Sequence, residues 1–392
     1  MDEKFITKKK LLIIPGWYPS AQVPWAGIFI EDQALALAEK YAVLVVVPEF
    51  INWKTFLFDR NSRAKGFETN NGITVYRHRV FLFPKLTTIS ILVNFFWFTM
   101  VPYRRMCASW GTPAVIHAHV AFAPGLLGLW LGKKSKVPVV LTEHSGPFNR
   151  LFTSTIRKYC IDSVIKGVDR VIAVSPALAR QINAIYPQKN ITVIGNLVRT
   201  DIFSFSTQDR QKRETQNVQF FSVAIMFKAK GIDYLIEAAR LLKNKNGDNF
   251  KVIIGGDGVY RKHLEKKTME SGVSDICVFT GLLTREEVKK WMQQSDVFIV
   301  PSIAETFCVS AAEAMACGKP VISTRCGGPE YFIDETCGFL VPVADAEALA
   351  DKMQEFISKK CAFDPSRIRT TVEKRFGRHA FLSAVTTLYD SL

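Results

Sequence analysis

The chain has 392 residues and a net charge of +15, with 48% apolar and 22% charged residues. This composition excludes a disordered or fibrous chain and suits about two globular domains of roughly 150 residues or more each. Eight scattered cysteines without a C-x-x-C pair argue against a zinc site or disulfide framework and for a reducing, cytoplasmic compartment.

The first ten residues are polar and basic, and only Leu11 to Ile14 precede Pro15, too few for a signal-peptide core. The next segment, "PGWYPSAQVPWAGIFIEDQALAL", reads as a loop carrying Gly16 and Gly27 and then a helix. A glycine just before a helix permits close backbone approach to a ligand. No G-x-G-x-x-G occurs here, which disfavours a nicotinamide dinucleotide.

Between Tyr76 and Met106, five basic residues bracket six aromatic ones, Phe81, Phe83, Phe95, Phe96, Trp97 and Phe98. Such interleaving suits an anionic bilayer surface, and it equally suits a core helix with basic ends. The run Leu86–Val101 carries Thr87, Thr88, Ser90 and Asn94 and falls short of a spanning helix of ~20 apolar residues. His117 and His119 close one strand, and His144 follows another in "VVLTEHSGPF". Two histidines at i, i+2, His117 and His119, with no nearby carboxylate pattern are a poor metal signal. His117 and His119 read as polar strand-end residues, whereas His144 is the functional candidate.

Short β-branched runs alternate with helix-like segments throughout, at 11–14, 43–47, 73–76, 114–117, 137–141, 170–174 and 191–194, and again at 218–223, 251–254, 276–279, 297–300, 321–324 and 339–341. Continuous apolar strands separated by helices imply parallel sheet covered on both faces. The polar stretch Ser206–Asn217 reads as the linker between two doubly wound α/β domains, 1–200 and 201–376. Charge divides unevenly. Residues 1–200 hold 25 Lys and Arg against 11 Asp and Glu, and the rest hold 26 against 25. The first half therefore either meets something anionic or carries a solubilising surface.

Ligands of open parallel sheets bind beyond the carboxyl ends of the strands. Two features of the second half lie there. Lys230-Gly231 follow a strand and precede a helix, so Lys230 can neutralise a phosphate or remain a solvated loop lysine. The other is "PSIAETFCVSAAEAMACGKPVIST", Pro301 to Thr324. Glu305 follows a strand, and the amides of Phe307, Cys308 and Val309 open a helix that carries Glu313. Unpaired N–H groups and the helix dipole make an anion site. A diphosphate there, flanked by hydroxyls donating to each carboxylate, would satisfy the arrangement. So would a structural solution, with Glu313 in a buried ion pair and Glu305 capping the helix. No two aspartates are two residues apart, so no D-x-D is present to hold a metal on a diphosphate.

Glu305-x7-Glu313, Gly318-Lys319-Pro320-Val321 and Gly327-Gly328 resemble the signature of family 4 retaining glycosyltransferases. The resemblance extends through the Gly27 loop, Thr142-x-His144, Ser175, Asn196, Lys230-Gly231, Gly256-x-Gly258, Gly281 and Asp296. It implies the GT-B fold, two Rossmann-like domains facing across a cleft, with a final helix at 377–392 crossing back onto the first. By the resemblance, a nucleotide-diphosphate sugar binds mainly to the second domain. Glu313 then takes the ribose, Glu305 the donor sugar, the amides of 307–309 the sugar and diphosphate, and Lys230 the leaving phosphate. Gly27 lets the first loop approach the diphosphate, and His144 lies near the transferred sugar. Gly256 and Gly258 border the base. The family's usual Gly-Arg is replaced here by Ala224-Ile225, with Lys228 a candidate substitute, and Phe307-Cys308 stand where many members have glycine. A bulky Phe307 would narrow donor choice.

The implied function is a retaining, metal-independent transfer to a glycan or lipid-linked acceptor in envelope or surface polysaccharide synthesis. The expected partners are the nucleotide sugar, the acceptor and an anionic membrane surface on the cytoplasmic side, with no cofactor, metal or nucleic acid. Two alternatives remain: a nucleotide-sugar 2-epimerase of the same architecture, and a non-catalytic nucleotide- or nucleic-acid-binding module.

Overall fold

A computed structural model describes residues 8–20, 23–51, 67–70, 72–81, 92–93, 110–205, 217–358 and 362–392. They fall into two compact units, Met1–Leu197 with Leu382–Leu392, and Val198–Phe381.

The first unit is built on β1 (Lys10–Ile14), β2 (Ala42–Ile51), β3 (Phe67–Asn70), β4 (Ile73–Phe81), β5 (Val115–His119), β6 (Val139–Glu143), β7 (Arg170–Ala173) and β8 (Ile191–Val193). They lie in the order β3-β4-β2-β1-β5-β6-β7-β8, parallel apart from the β3–β4 pair. Helices α1 (Ile28–Leu37), α2 (Leu126–Ser135), α3 (Thr155–Gly167) and α4 (Pro176–Asn183) connect them. β1 shows why an uninterrupted apolar run marks a central strand. Leu11 to Ile14 are each wholly buried, and every such side chain contributes about 1.5–3 kcal/mol. Serines start two of the helices, Ser154 Oγ accepting from Arg157 N and Ser175 Oγ from Leu178 N.

The second unit holds β9 (Val218–Val223), β10 (Phe250–Gly255), β11 (Cys277–Gly281), β12 (Val297–Val300), β13 (Val321–Thr324) and β14 (Gly338–Val341), in the order β11-β10-β9-β12-β13-β14, all parallel. Helices α5 (Ile232–Asn246), α6 (Arg261–Glu270), α7 (Arg285–Gln294), α8 (Val309–Ala316), α9 (Ala346–Ile357) and α10 (Pro365–Phe376) accompany them. Phe220, Leu235, Ile236, Phe250, Ile254 and Val297 form part of one buried cluster. The last helix, α11 (Arg378–Asp390), ends against the first unit, where Tyr389 Oη lies 2.6 Å from His117 Nδ1.

β3 was not anticipated, although Asn71-Gly72 ahead of β4 is a strong hairpin signal. Most of the proposed linker, residues 206–216, lies outside the described residues. The segment before it is tied to the second unit, since Val198 N donates to Phe376 O and Arg369 donates to the carbonyls of Thr200 and Phe203. Residues 82–91 and 94–106 of the basic-aromatic stretch also lie outside. Within its described part, Arg77 donates to Pro19 O and sits 3.7 Å from Glu68, so it is engaged inside its own unit.

Gly231, ahead of α5, has φ +65°, and an added Cβ would lie 1.9 Å from Pro301 O. Gly231→Ala therefore combines a left-handed backbone with a backbone clash. It should destabilise the second unit by about 2 kcal/mol or more, read as a lower urea midpoint.

Candidate active site

The sheet order of the second unit brings the loops after β9 and β12 side by side, because those strands are neighbours. Ile303 N donates to Ala229 O across the gap at 2.8 Å. The two loops thereby present Lys230 and Glu305 to each other, Nζ to Oε1, at 2.7 Å. Ser302 Oγ donates to the same Oε1 at 2.7 Å. Among the described residues nothing donates to Oε2, which stays available to a ligand hydroxyl. Glu305 is pinned at its backbone as well, its N donating to Cys326 O and its O accepting from Gly328 N. Burial alone would push Lys230 down. The charge and hydrogen bond of Glu305, with smaller contributions from Cys308 and Cys326, more than offset it together and hold the ammonium above its usual range.

Beside this pair lies a cavity of about 170 Å³, lined by Ser222, Ala224, Lys230, Glu305, Cys308 and Val309 among others. Cys308 caps α8 in the left-handed region, φ 70°, and no side chain caps the helix, so its first amides have no intrahelical partner. A non-glycine residue there is strained. Burial pushes the Cys308 thiol up and keeps it protonated. Glu313, one turn beyond Val309, lies on the same helix face. Arg285 lies 3.8 Å from it, with its guanidinium over the Phe203 ring. The ion pair open to Glu313 from the sequence thus has Arg285 as its partner.

Phe307 requires a correction. Its side chain is 1% exposed and packs on the rings of Phe332 and Phe376, at 5.3 and 5.0 Å. The ring belongs to the aromatic core, so its bulk does not meet the cavity and cannot narrow donor choice directly. Glu305 does not cap α8 either. Lys228 is exposed and outside the cavity lining, and Ile225 is 53% exposed. Gly256 and Gly258 form the turn after β10, where missing Cβ atoms let Ala224 O and Met226 O approach. Ala224 in turn lines the cavity.

Gly27 and His144 belong to the first unit. Gly27, φ 70°, starts α1, and its missing Cβ admits Trp17 O. Phe29 of α1 lies 5.0 Å from the His144 ring. His144 is the end of a buried column of three imidazoles. His144 Nε2 is 2.9 Å from His119 Nδ1, and His119 stacks on His117 at 4.4 Å. His117 is fully paired, to Tyr389 Oη and to Thr142 Oγ1. His119 Nε2 and His144 Nδ1 have no partner among the described residues. Burial lowers all three. His117 and His144 fall to about 3, and His119 lies well below its usual value, with the neighbouring rings adding to the effect. All three are therefore neutral near pH 7. Among the described residues no group of His, Cys, Asp and Glu is arranged to hold a metal ion.

Residues 26–202 match the family described as Glycosyltransferase Family 4, and residues 203–375 match Glycosyl transferases group 1. An uncharacterized glycosyltransferase of Methanocaldococcus jannaschii is 31% identical over 334 residues, covering 83% of this chain and 88% of that one. The chain belongs to the family 4 glycosyltransferases. The amylovoran biosynthesis glycosyltransferase AmsK of Erwinia amylovora is 28% identical over 215 residues, 53% of this chain and 52% of that one. The fold is GT-B. HepE of Anabaena, solved in complex with UDP, matches with a TM-score of 0.74 at 21% identity, over 98% of this chain and 100% of that one.

For this glycosyltransferase the histidine column sets a pH dependence of stability. On unfolding, each imidazole regains a pKa near 6.5 and takes up a proton below it, whereas the folded rings stay neutral down to about pH 3 for His117 and His144. Their contribution is complete above about pH 6.5 and is lost as pH falls, by about 1.4 kcal/mol per pH unit per histidine at most. Urea midpoints should drop between pH 7.5 and pH 5.5, and His119→Gln should flatten that drop by about one proton. A midpoint independent of pH would contradict it.

Proposed function

We propose that this enzyme transfers a sugar from a nucleotide-diphosphate sugar to a glycan or lipid-linked acceptor, retaining the anomeric configuration and using no metal. The observation that carries the proposal is the Lys230–Glu305 pair beside the uncapped start of α8. The Glu305 carboxylate is fixed through one oxygen and offers the other, Oε2, to a donor-sugar hydroxyl. Lys230 stays protonated and faces the cavity where a diphosphate would lie, and the α8 amides supply further fixed positive ends. These donors stabilise the charge that develops as the anomeric C1–O bond to the diphosphate breaks. The acceptor oxygen bonds to C1 on the same face, and its proton passes to the departing phosphate oxygen. Glu313 takes the ribose hydroxyls, with Arg285 holding its carboxylate in place. Neutral His144 serves as a hydrogen-bonding group for the transferred sugar, not as a charged acid.

The UDP of HepE supports a nucleotide donor, and the named role of AmsK supports a place in polysaccharide synthesis. The absence of any Asp-x-Asp in the sequence supports charge stabilisation by Lys230 and amides. A panel of UDP-, GDP- and ADP-sugars, assayed for nucleoside diphosphate release in EDTA, tests the reading. We expect one donor to turn over, and Lys230→Ala to lower kcat by about 10²–10³. Undiminished turnover in Glu305→Ala would refute it. Product NMR reads the anomer and separates transfer from 2-epimerisation.

We further propose that the enzyme works on the cytoplasmic face of the membrane as a peripheral protein. The charge excess of the first 200 residues supports this, and among the described residues no helix is long and apolar enough to cross a membrane. The protein should sediment with anionic liposomes more than with neutral ones, and less so at high salt.

A further inference from the structure

The first unit contains a second cavity, of about 240 Å³, that none of the roles above uses. It is lined by Trp17, Phe122, Glu143, Ser145, Leu151 and Arg157 among others. Four features of it point to a ligand. Trp17 is 45% exposed, leaving a large flat apolar face open at the rim. The Arg157 guanidinium stacks over the Phe122 ring, 4.4 Å from its centre, and its Nε is buried without a partner. Among the described residues no carboxylate pairs with it. It also stands in the first turn of α3, the end of a helix where a cation is electrostatically disfavoured. A half-buried arginine, held over a ring with its Nε shut from solvent and without a partner, leaves guanidinium donors that an anion can complete.

The turn that holds Phe122 is itself strained. Val120 has φ 70° and ψ 141°, and Ala123 has φ 68° and ψ −69°. A β-branched residue at positive φ is a true outlier, and both residues line the cavity. Glu143 at the inner wall does not serve Arg157. It is wholly buried, and both its oxygens are taken by backbone amides, Oε1 by His144 and Ser145 and Oε2 by Ala121.

We infer, on the transfer reading given above, that this cavity binds the acceptor and that the acceptor carries an anionic oxygen group, a phosphate or a carboxylate, held by Arg157 with a sugar ring against Trp17. The guanidinium fork matches either group in bidentate fashion, and stacking on Phe122 fixes its plane.

Isothermal titration of the full chain in excess UDP tests this with three probes: methyl glucuronide, glycerol phosphate and neutral methyl glucoside. At least one anion should bind, with the neutral glycoside about tenfold weaker or worse. Arg157→Gln should weaken the anion about tenfold or more, Arg157→Lys should weaken it less, and UDP affinity should not change in either. Trp17→Ala, distant from α3 in sequence, gives an independent loss should Arg157→Gln fold poorly by thermal unfolding. Binding of the glucuronide alone identifies a uronic-acid acceptor, and of the phosphate alone a phosphate-bearing one. Binding of neither anion, or equal anion affinity in Arg157→Gln, overturns the inference. If UDP fails to bind while the anion still binds through Arg157, the transfer reading falls and the anion site stands.

Discussion

The close approach of two strand ends governs the chemistry of the second unit. β9 and β12 are far apart in sequence yet adjacent in the sheet, because the chain winds from β9 through β10 to β11 on one side and returns to β12 on the other. The connections from these two strands leave in opposite directions and open a crevice above the sheet edge. Backbone contact across it is tight enough that Gly231 has no room for a Cβ beside Pro301 O. That approach sets Lys230 against Glu305, and the pair then decides where charge can accumulate. A buried ion pair contributes little net stability, since desolvation offsets the attraction. Its retention here fits positioning better than folding.

The first unit repeats the construction with different side chains. Its order reverses between β1 and β5, and the loops after those strands supply Gly16, Trp17, Val120 and Phe122 to its cavity. Each sheet therefore carries its cavity at its own reversal point. The two cavities differ in what lines them. One is built on a lysine–carboxylate pair and helix amides, the other on an aromatic rim and a stacked arginine.

Much of this was legible in the sequence because it depends on local pattern. Uninterrupted β-branched runs mark buried parallel strands, and carboxylates placed just after strands mark sheet-edge chemistry. What escaped depends on direction or on distant partners. Phe307 and Cys308 are adjacent, yet one ring enters an aromatic core with Phe332 and Phe376 while the other residue faces the cavity. No composition argument gives that orientation, which follows from the left-handed turn at Cys308. Nothing in the local sequence singles out Arg285 or Arg157, because their partners, Glu313 and Phe122, lie 28 and 35 positions away. The histidine column was also illegible. His117 and His119 share a strand face by their i, i+2 spacing, but the third ring and the Tyr389 hydroxyl come from elsewhere in the chain.

Two carboxylates near strand ends, Glu143 and Glu305, show how hydrogen bonding separates an acid whose oxygens are both taken from one that keeps an oxygen open. Glu143 ends the buried strand β6 and Glu305 follows the buried strand β12, and both would be costly if left unpaired. Glu143 has three backbone amides on its two oxygens, and burial pushes its carboxyl up against their opposing pull. Its acceptor capacity is spent on closing the loop around His144, so it organises backbone and leaves little for a substrate. Glu305 directs both its partners, Lys230 and Ser302, to one oxygen. Lys230 balances the charge, the backbone bonds to Cys326 and Gly328 fix the residue, and Oε2 remains uncommitted. A rigid carboxylate with one open oxygen is an economical way to orient a polyol, because the acceptor is fixed before the ligand arrives and no reorganisation is needed when it does.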